Sequence, residues 1–286
     1  MSSERILADS AVRLPAWACL ELPGLAVSEA DPHALSAACA RALEQLMGAG
    51  ATADAAFERL RTGPSGEVAI DEAMLTVRGW ALRRLPHPQH VSALSENSKH
   101  GGPGRHRQVL IHRLEVLFDD VRLAGLRCRR IEMTAEDVRG ELEPTGDGAQ
   151  LKLHQAASFD TSGEIHATDV RDYLVGQSPW IIGGTVSFVN GARLVADGRI
   201  RLGFLPVSGL LSGTLRVQDR TDLLIEDVSV TVAGQHVPDG IVAGKLREVN
   251  PLLTLRPLVE AGLGIELLPP EANGSVLRLH GTARAP

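Results

Sequence analysis

Three pairs of adjacent acidic residues are the first candidates for chemistry in this sequence: Asp119-Asp120, Glu136-Asp137 and Glu226-Asp227. Two carboxylates perform acid–base catalysis when burial or neighbouring charges separate their pKa values. Adjacent residues on a β-strand point to opposite faces of the sheet, so the two members of such a pair do not meet at one site. We therefore predict that the pairs mark strand ends or turns, and we favour that role over catalysis.

Four histidines lie in the segment 85–107, which is rich in Pro, Gly and Ser and has no periodicity; they are His87, His90, His100 and His106. Their spacing matches no metal-ligand motif. Such a composition is typical of a mobile, solvated loop. The three cysteines are scattered and form no CxxC pair, which argues against a zinc knuckle or a redox site. The sequence therefore predicts no metal and no other cofactor.

Arg127 and Arg129 would share one face of a strand. Two guanidinium groups on one face could hold a phosphate headgroup through paired hydrogen bonds. The alternative, which we favour, is a solvated sheet face on which these arginines pair with Glu132 or Glu136.

Other catalytic signatures are missing from the sequence. There is no nucleophile elbow, phosphate-binding glycine loop, dinucleotide fingerprint or HExxH motif. Aromatic residues make up 3% of the chain and the formal net charge is −6. Nucleic-acid binding needs aromatic stacking platforms or a basic field, so the composition excludes it as the main function.

The elements that would position a site are best defined in residues 183–232. Short runs of alternating apolar and polar residues are separated by turn sequences such as Asn190-Gly191 and Asp197-Gly198. Asn-Gly and Asp-Gly favour tight hairpin turns, and a period of two puts alternate side chains on opposite faces. The pattern predicts an antiparallel meander with one apolar face and one face rich in arginine.

Helix signals appear at four places. Asp31-Pro32 begins a helix that ends at Gly48, and Thr52 is predicted to cap a second, short helix that continues to Leu60. Thr168 and Pro238 begin two more, and Asn250-Pro251 ends the last one.

Strand patterns run from about residue 108 onwards, with a predicted bulge between Ile111 and Leu114. The fold class is α+β, with a long curved antiparallel β-sheet wrapped around amphipathic helices. We divide the chain into residues 1–107, an N-terminal segment packed on the same domain, and residues 108–286, the main sheet domain.

The N-terminus lacks the continuous apolar core of a signal peptide, because Glu4 and Asp9 interrupt it. No run of about 18 uninterrupted apolar residues is present. We expect a cytoplasmic protein that could also contact a membrane peripherally.

The C-terminal two-thirds resembles the LmeA-like phospholipid-binding family. The residues that carry the resemblance are the V-x-V-x-G turn at 230–234, the V-N-P-L-L-T-L stretch at 249–255, the strand pair at 265–281 and the L-E-V-L-F-D-D-V-R-L-A-G segment at 114–125. The resemblance covers about residues 108–284. It implies lipid or phospholipid binding without a cofactor, a fold like the tubular lipid-binding domains, and no catalytic residues.

These observations lead to a binding hypothesis. The apolar face of the meander, together with the helix after Pro238, would line a cavity for a lipid or another long apolar ligand. An enzyme such as a cyclase or isomerase acting on an apolar metabolite in the same cavity, and a scaffold with a fully packed interior, are the alternatives. The predicted ligand-binding residues are Val186, Phe188, Ile200, Leu202, Phe204, Leu215, Val217, Ile241, Val242 and Leu246, with Arg127 and Arg129 as the headgroup candidates.

Overall fold

The structure is a computed structural model that describes residues 12–13, 19–26, 31–48, 50–64, 66–82, 106–123, 125–189, 191–202, 205–256, 259 and 264–283. Within these residues, three helices are present: α1 (Pro32–Met47), α2 (Ala167–Gln177) and α3 (Asp239–Leu246). The strands, in chain order, are β1 (Val12–Arg13), β2 (Cys19–Pro23), β3 (Thr52–Glu58), β4 (Arg61–Thr62), β5 (Val68–Arg78), β6 (Ala81–Leu82), β7 (Arg107–Leu123), β8 (Leu126–Pro144), β9 (Gly148–Ala156), β10 (Ser158–His166), β11 (Ile181–Val189), β12 (Arg193–Leu202), β13 (Leu205–Gln218), β14 (Asp222–Val232), β15 (Gln235–His236), β16 (Leu253–Thr254), β17 (Ile265–Leu267), β18 (Glu271–Asn273) and β19 (Val276–Ala283).

Thirteen of the described strands form one large sheet, whose main path is β17-β19-β10-β8-β7-β5-β3. The sheet curls into an open half-barrel, which confirms the α+β class and the curved sheet. It is not purely antiparallel, because β5 and β6 both pair with β7 in parallel. Strands from before and after residue 107 hydrogen-bond to one another, so the large sheet crosses the division that we placed there.

Strands β7 and β8 bend where the sequence predicts a bulge. Ile111 and Leu114 are both buried although they are three residues apart, and Ala135 and Val138 on the neighbouring strand show the same spacing. The ladder keeps one register on both sides of this point. The irregularity is therefore a bend shared by adjacent strands, rather than an extra residue in one of them.

The small sheet has the order β11-β12-β13-β14-β15, with β16 also pairing β14, and each of its pairings is antiparallel. This confirms the predicted meander, but Asp197-Gly198, which we predicted to be a turn, lies inside β12 and is paired on both sides. One face, which we call the inner face, carries apolar side chains that include Phe188, Leu194, Leu215 and Ile225 and belongs to the core. The opposite face exposes Arg199 and Arg201.

Helix α1 forms as its sequence predicts. The Asp31 carboxylate accepts hydrogen bonds from the backbone N–H groups of His33 and Ala34 at 2.8 and 2.9 Å, and Pro32 occupies the first turn. The buried stripe that includes Leu35, Cys39 and Ala42 packs on the large sheet.

The prediction of a second N-terminal helix was wrong. Residues 52–58 form strand β3, which pairs with β5 along its full length. The alanines and Phe57 that suit a helix also suit a strand, because Ala53, Ala55 and Phe57 face inwards with a regular period of two. Pairing with β5 decided between the two conformations.

Helices α2 and α3 lie within about one to three residues of the predicted positions. Helix α2 packs between the two sheets, because Val170, Tyr173 and Leu174 share one core cluster with residues of β8, β10, β19 and the inner face. Helix α3 contacts β14 and buries Val242. Among the described residues, no helix combines the length and the apolar character needed to cross a bilayer.

Candidate functional site

An apolar groove lies where α2 crosses the inner face of the small sheet. Its enclosed space is about 50 Å³, and it is open to solvent on one side. Its lining residues are Arg171, Leu174, Val175, Trp180, Ile181, Gly183, Gly184, Thr185, Val186, Ala196, Asp197, Gly198, Arg199, Ile200, Gly209 and Leu211. Pockets that enclose a drug-sized ligand measure roughly 300–1,000 Å³, so this groove could hold only part of such a molecule without widening.

Three glycines form the floor of the groove. Gly184, Gly198 and Gly209 are directly paired across β11, β12 and β13, so this row of the inner face has no side chains of its own, and Ile200 lies over Gly209. A Cβ atom at Gly184 or Gly198 would lie 2.2 Å from a backbone oxygen of the paired strand. At Gly209 it would meet only the tip of Ile200, 2.3 Å away. The close approach of backbones therefore requires glycine at the first two positions.

Trp180 forms one rim of the groove and is fixed from two directions. Its indole N–H donates to the Glu248 carboxylate at 3.2 Å, and its carbonyl accepts from the Arg201 N–H at 2.7 Å. Glu248 also accepts from Lys245 at 2.7 Å, and this contact, the largest cause, lowers the pKa of the Glu248 carboxyl. The end of α3 thus holds the rim in place.

The predicted ligand-binding residues fall into distinct environments. Val186 and Ile200 line the groove. Phe188 and Leu215 are buried in the core, each with 2% of its surface exposed. The side chain of Leu202 and the whole of Phe204 lie outside the described part of the structure. Val217 and Leu246 pack partly buried on the core, Val242 is buried, and Ile241 is 60% exposed on α3.

The structure shows that α2 borders the groove, whereas our prediction placed the helix after Pro238 there. None of the residues 238–249 is among the described lining residues. The sequence carried one overlooked signal, since a glycine inside each of three alternating runs indicates a close backbone approach. Leu174, Val175 and Trp180 were not predicted, because nothing in their spacing shows which sheet α2 will cover.

Arg127 and Arg129 share one face, as predicted, but they pair with residues other than those we expected. Arg129 donates to the Asp169 carboxylate at 2.9 Å and to the Thr168 hydroxyl at 3.2 Å, at the start of α2. Arg127 pairs with Asp120, and this hydrogen bond, as its largest cause, lowers the pKa of that carboxyl. Carboxylates already neutralise both candidate headgroup ligands.

The acidic pairs lie inside strands rather than at their ends. The second residue of each pair has a left-handed backbone, with φ of 57° at Asp120, 47° at Asp137 and 50° at Asp227. Asp is among the residues that tolerate this conformation best. All three pairs therefore mark bends in β7, β8 and β14.

The four histidines of the predicted loop divide between two regions. His87, His90 and His100 lie outside the described residues. His106 immediately precedes β7, where its Nδ1 lies 3.6 Å from a Glu143 oxygen.

Comparisons of the chain with models of known families, with curated proteins and with solved structures found no match.

Proposed function

We propose that this protein binds the hydrocarbon part of a lipid or a similar long apolar ligand in the groove. The observation that carries the proposal is the row of three paired glycines, which adds no side chain of its own to the inner face between Val186 and Ile181 and so leaves the groove open there. An apolar surface of this kind stays exposed at a cost unless a ligand covers it. The proposal extends to the arrangement of curved sheet and helices, which would act in the manner of the tubular lipid-binding domains that the sequence resembles.

The size of the groove limits the affinity. Each buried methylene contributes about 0.8 kcal/mol, so six methylenes would contribute about 5 kcal/mol, equivalent to a submillimolar Kd. Micromolar binding, at about 8 kcal/mol, would require roughly ten methylenes and therefore a wider groove. An open side on the groove permits such widening more readily than a closed cavity.

The lining favours binding over the enzymatic alternative. Among its described residues, Asp197 is the one carboxylate, and there is no histidine or cysteine. A cyclase or isomerase that moves protons commonly uses an acid and a base with separated pKa values. The groove offers an apolar surface with a single carboxylate.

Contact with a membrane surface is a natural extension of this proposal. Leu205, at the start of β13, is 69% exposed, and its cross-strand partner Leu202 directly follows Arg201 on β12. An exposed apolar side chain near Arg199 and Arg201 suits an anionic lipid surface. Sedimentation with vesicles that contain anionic phospholipid should be reduced in Leu205→Glu.

The direct test is titration with a fluorescent fatty acid. Ala196→Phe and Leu211→Phe, which place a ring in the groove, should each weaken binding at least tenfold. Val195→Phe is the matched control, because Val195 is the neighbour of Ala196 on the opposite face of β12. Equal affinity in all three folded variants, checked by circular dichroism, would refute the proposed site.

A further inference from the structure

A second cluster of functional side chains lies far from the groove in the fold, on the large sheet. Glu141 and Glu143 are two residues apart on β8 and therefore share a face. Gly140 and Leu142, which precede each of them, are buried on the other face. Gln108 of β7 pairs with Glu141, so His106, two residues earlier, falls beside Glu143. One ligand atom each from His106, Glu141 and Glu143 lie within 4.8 Å of one another.

A bulge in β9 brings a second imidazole beside Glu141, at the edge of this cluster. Arg139 pairs with Gln155 and Gly140 pairs with Leu153, which leaves His154 as the extra residue of β9. Bulges re-aim the side chain of the extra residue. The Nε2 atom of His154 lies 3.8 Å from a Glu141 oxygen, so each glutamate has one histidine neighbour.

These separations suit a small tetrahedral cation. Ligands that bind zinc at roughly 2.0–2.1 Å in tetrahedral geometry lie about 3.4 Å from one another. The observed N–O separations of 3.6 and 3.8 Å exceed this value by less than half an ångström. Both imidazoles are more than half exposed, so small side-chain rotations can close that gap.

The surroundings carry an excess of negative charge and of unsatisfied oxygen. Glu21, Glu141 and Glu143 contribute −3, while Lys152, which is bonded to Glu143, and Arg139, two residues before Glu141 on the same face, contribute +2, which gives −1 in total. Gln150, the cross-strand neighbour of Glu143, is 2% exposed, and its Oε1 accepts no hydrogen bond from the described residues. Buried polar atoms are usually satisfied by protein, water or an ion, so this oxygen is free to accept one further partner beside Glu143.

We propose that His106, Glu141 and Glu143, joined by His154 from beside Glu141, form a binding site for a divalent transition-metal ion, with Zn²⁺ as the best fit. Imidazole nitrogen combined with carboxylate oxygen is a ligand set that zinc accepts, whereas Mg²⁺ and Ca²⁺ select oxygen alone. This differs from the absence of metal predicted from histidine spacing. The site shares no residue with the groove, so the metal proposal can be tested independently of the lipid-binding proposal.

The test is isothermal titration of the full chain with zinc chloride at pH 7.5. The wild type should bind one equivalent that magnesium does not displace. His106→Ala and Glu143→Gln should each lower the affinity at least about tenfold, since losing even an outer-shell partner of a metal costs roughly 10–100-fold. His112→Ala is the matched control, because His112 lies on the same strand with a single carboxylate neighbour, Asp137, at 3.1 Å, and it should leave zinc binding unchanged.

A separate readout is the melting temperature. Zinc should raise it in the wild type and in His112→Ala, and should not raise it in His106→Ala. The absence of saturable binding in the wild type would overturn the proposal. So would equal zinc affinity in the wild type and His106→Ala, which would place the metal on other histidines of the chain.

Discussion

Asn250 acts as a strand partner for Ile225. Its Oδ1 accepts a hydrogen bond from the Ile225 N–H at 3.0 Å, and its Nδ2 donates to the Ile225 carbonyl at 2.9 Å. Strand β14 pairs with β15 beyond this point and with β16 before it, so the amide of Asn250 fills the gap between them. The Asn-Pro sequence that ends the α3 segment thus also completes the edge of the small sheet.

Removal of this amide should destabilise the protein strongly. Asn250→Ala leaves both backbone groups of Ile225, a residue with 1% of its surface exposed, without partners. Each unsatisfied group costs about 1–3 kcal/mol, so for the two groups we expect a loss of about 2–6 kcal/mol in the free energy of unfolding. Urea denaturation measures this loss, with the exposed Asn273→Ala as the control. A change below about 0.5 kcal/mol in Asn250→Ala would contradict the proposed role.

Substitutions of the aspartates with positive φ should change stability through the backbone preference of the new residue more than through the loss of charge. In β14, Asp227→Gly is expected to stay within about 0.5 kcal/mol of the wild type, whereas Asp227→Val should lose about 1–2 kcal/mol, because a β-branched residue resists positive φ. Asp227 also bonds to Arg216 at 2.9 Å, an exposed pair worth at most about 1 kcal/mol. Asp227→Asn removes that charge while keeping the tolerance of positive φ. Similar losses in the Asn and Val variants would show that the ion pair dominates.

Local signals predicted the local structure well. The capping of α1 by Asp31 and the meander of residues 183–232 follow from short-range patterns, whereas the spacing of Ile111 and Leu114 located an irregularity but predicted a bulge where the strands bend. The helix prediction for residues 52–58 was wrong because their composition allows a helix or a strand. Pairing with β5, which is distant in the sequence pattern, selects the strand. The groove and the histidine–glutamate cluster depend on pairings such as Gln108 with Glu141, which no spacing rule contains.

Burial should make the three cysteine thiols unreactive in the folded protein. It raises the pKa of the Cys39 and Cys128 thiols to about 12, and burial followed by the neighbouring Glu21 raises that of Cys19 to about 11. An ordinary thiol, with a pKa near 9.0, ionises between pH 8 and 10. In the native protein, the rate of reaction with a disulfide reagent should therefore stay low up to pH 9, and all three cysteines should react once urea is added.

The same shifts link stability to pH. Because the folded-state pKa values are raised, the contribution of these thiols to stability is complete below about pH 9 and is lost as the pH rises towards 11–12. A rapid reaction of one thiol in the native protein at pH 7 would contradict the burial of that cysteine.

Arginine substitutions can separate the groove from the core on one face of the small sheet. Ile200 lines the groove and lies over Gly209, whereas Leu215 is 2% exposed and packs in the core. In Leu215→Arg an unpaired charge is buried, which should cost about 4 kcal/mol or more and unfold a protein of ordinary stability at moderate temperature. In Ile200→Arg the flexible side chain can lie along the groove and carry its charge to the open side. That variant should melt within a few degrees of the wild type and bind the fluorescent fatty acid at least tenfold more weakly.

Thermal melting, together with the lipid titration, measures both effects. A folded Leu215→Arg would show that the core is looser than the structure indicates, and unchanged affinity in a folded Ile200→Arg would remove the groove as the lipid site.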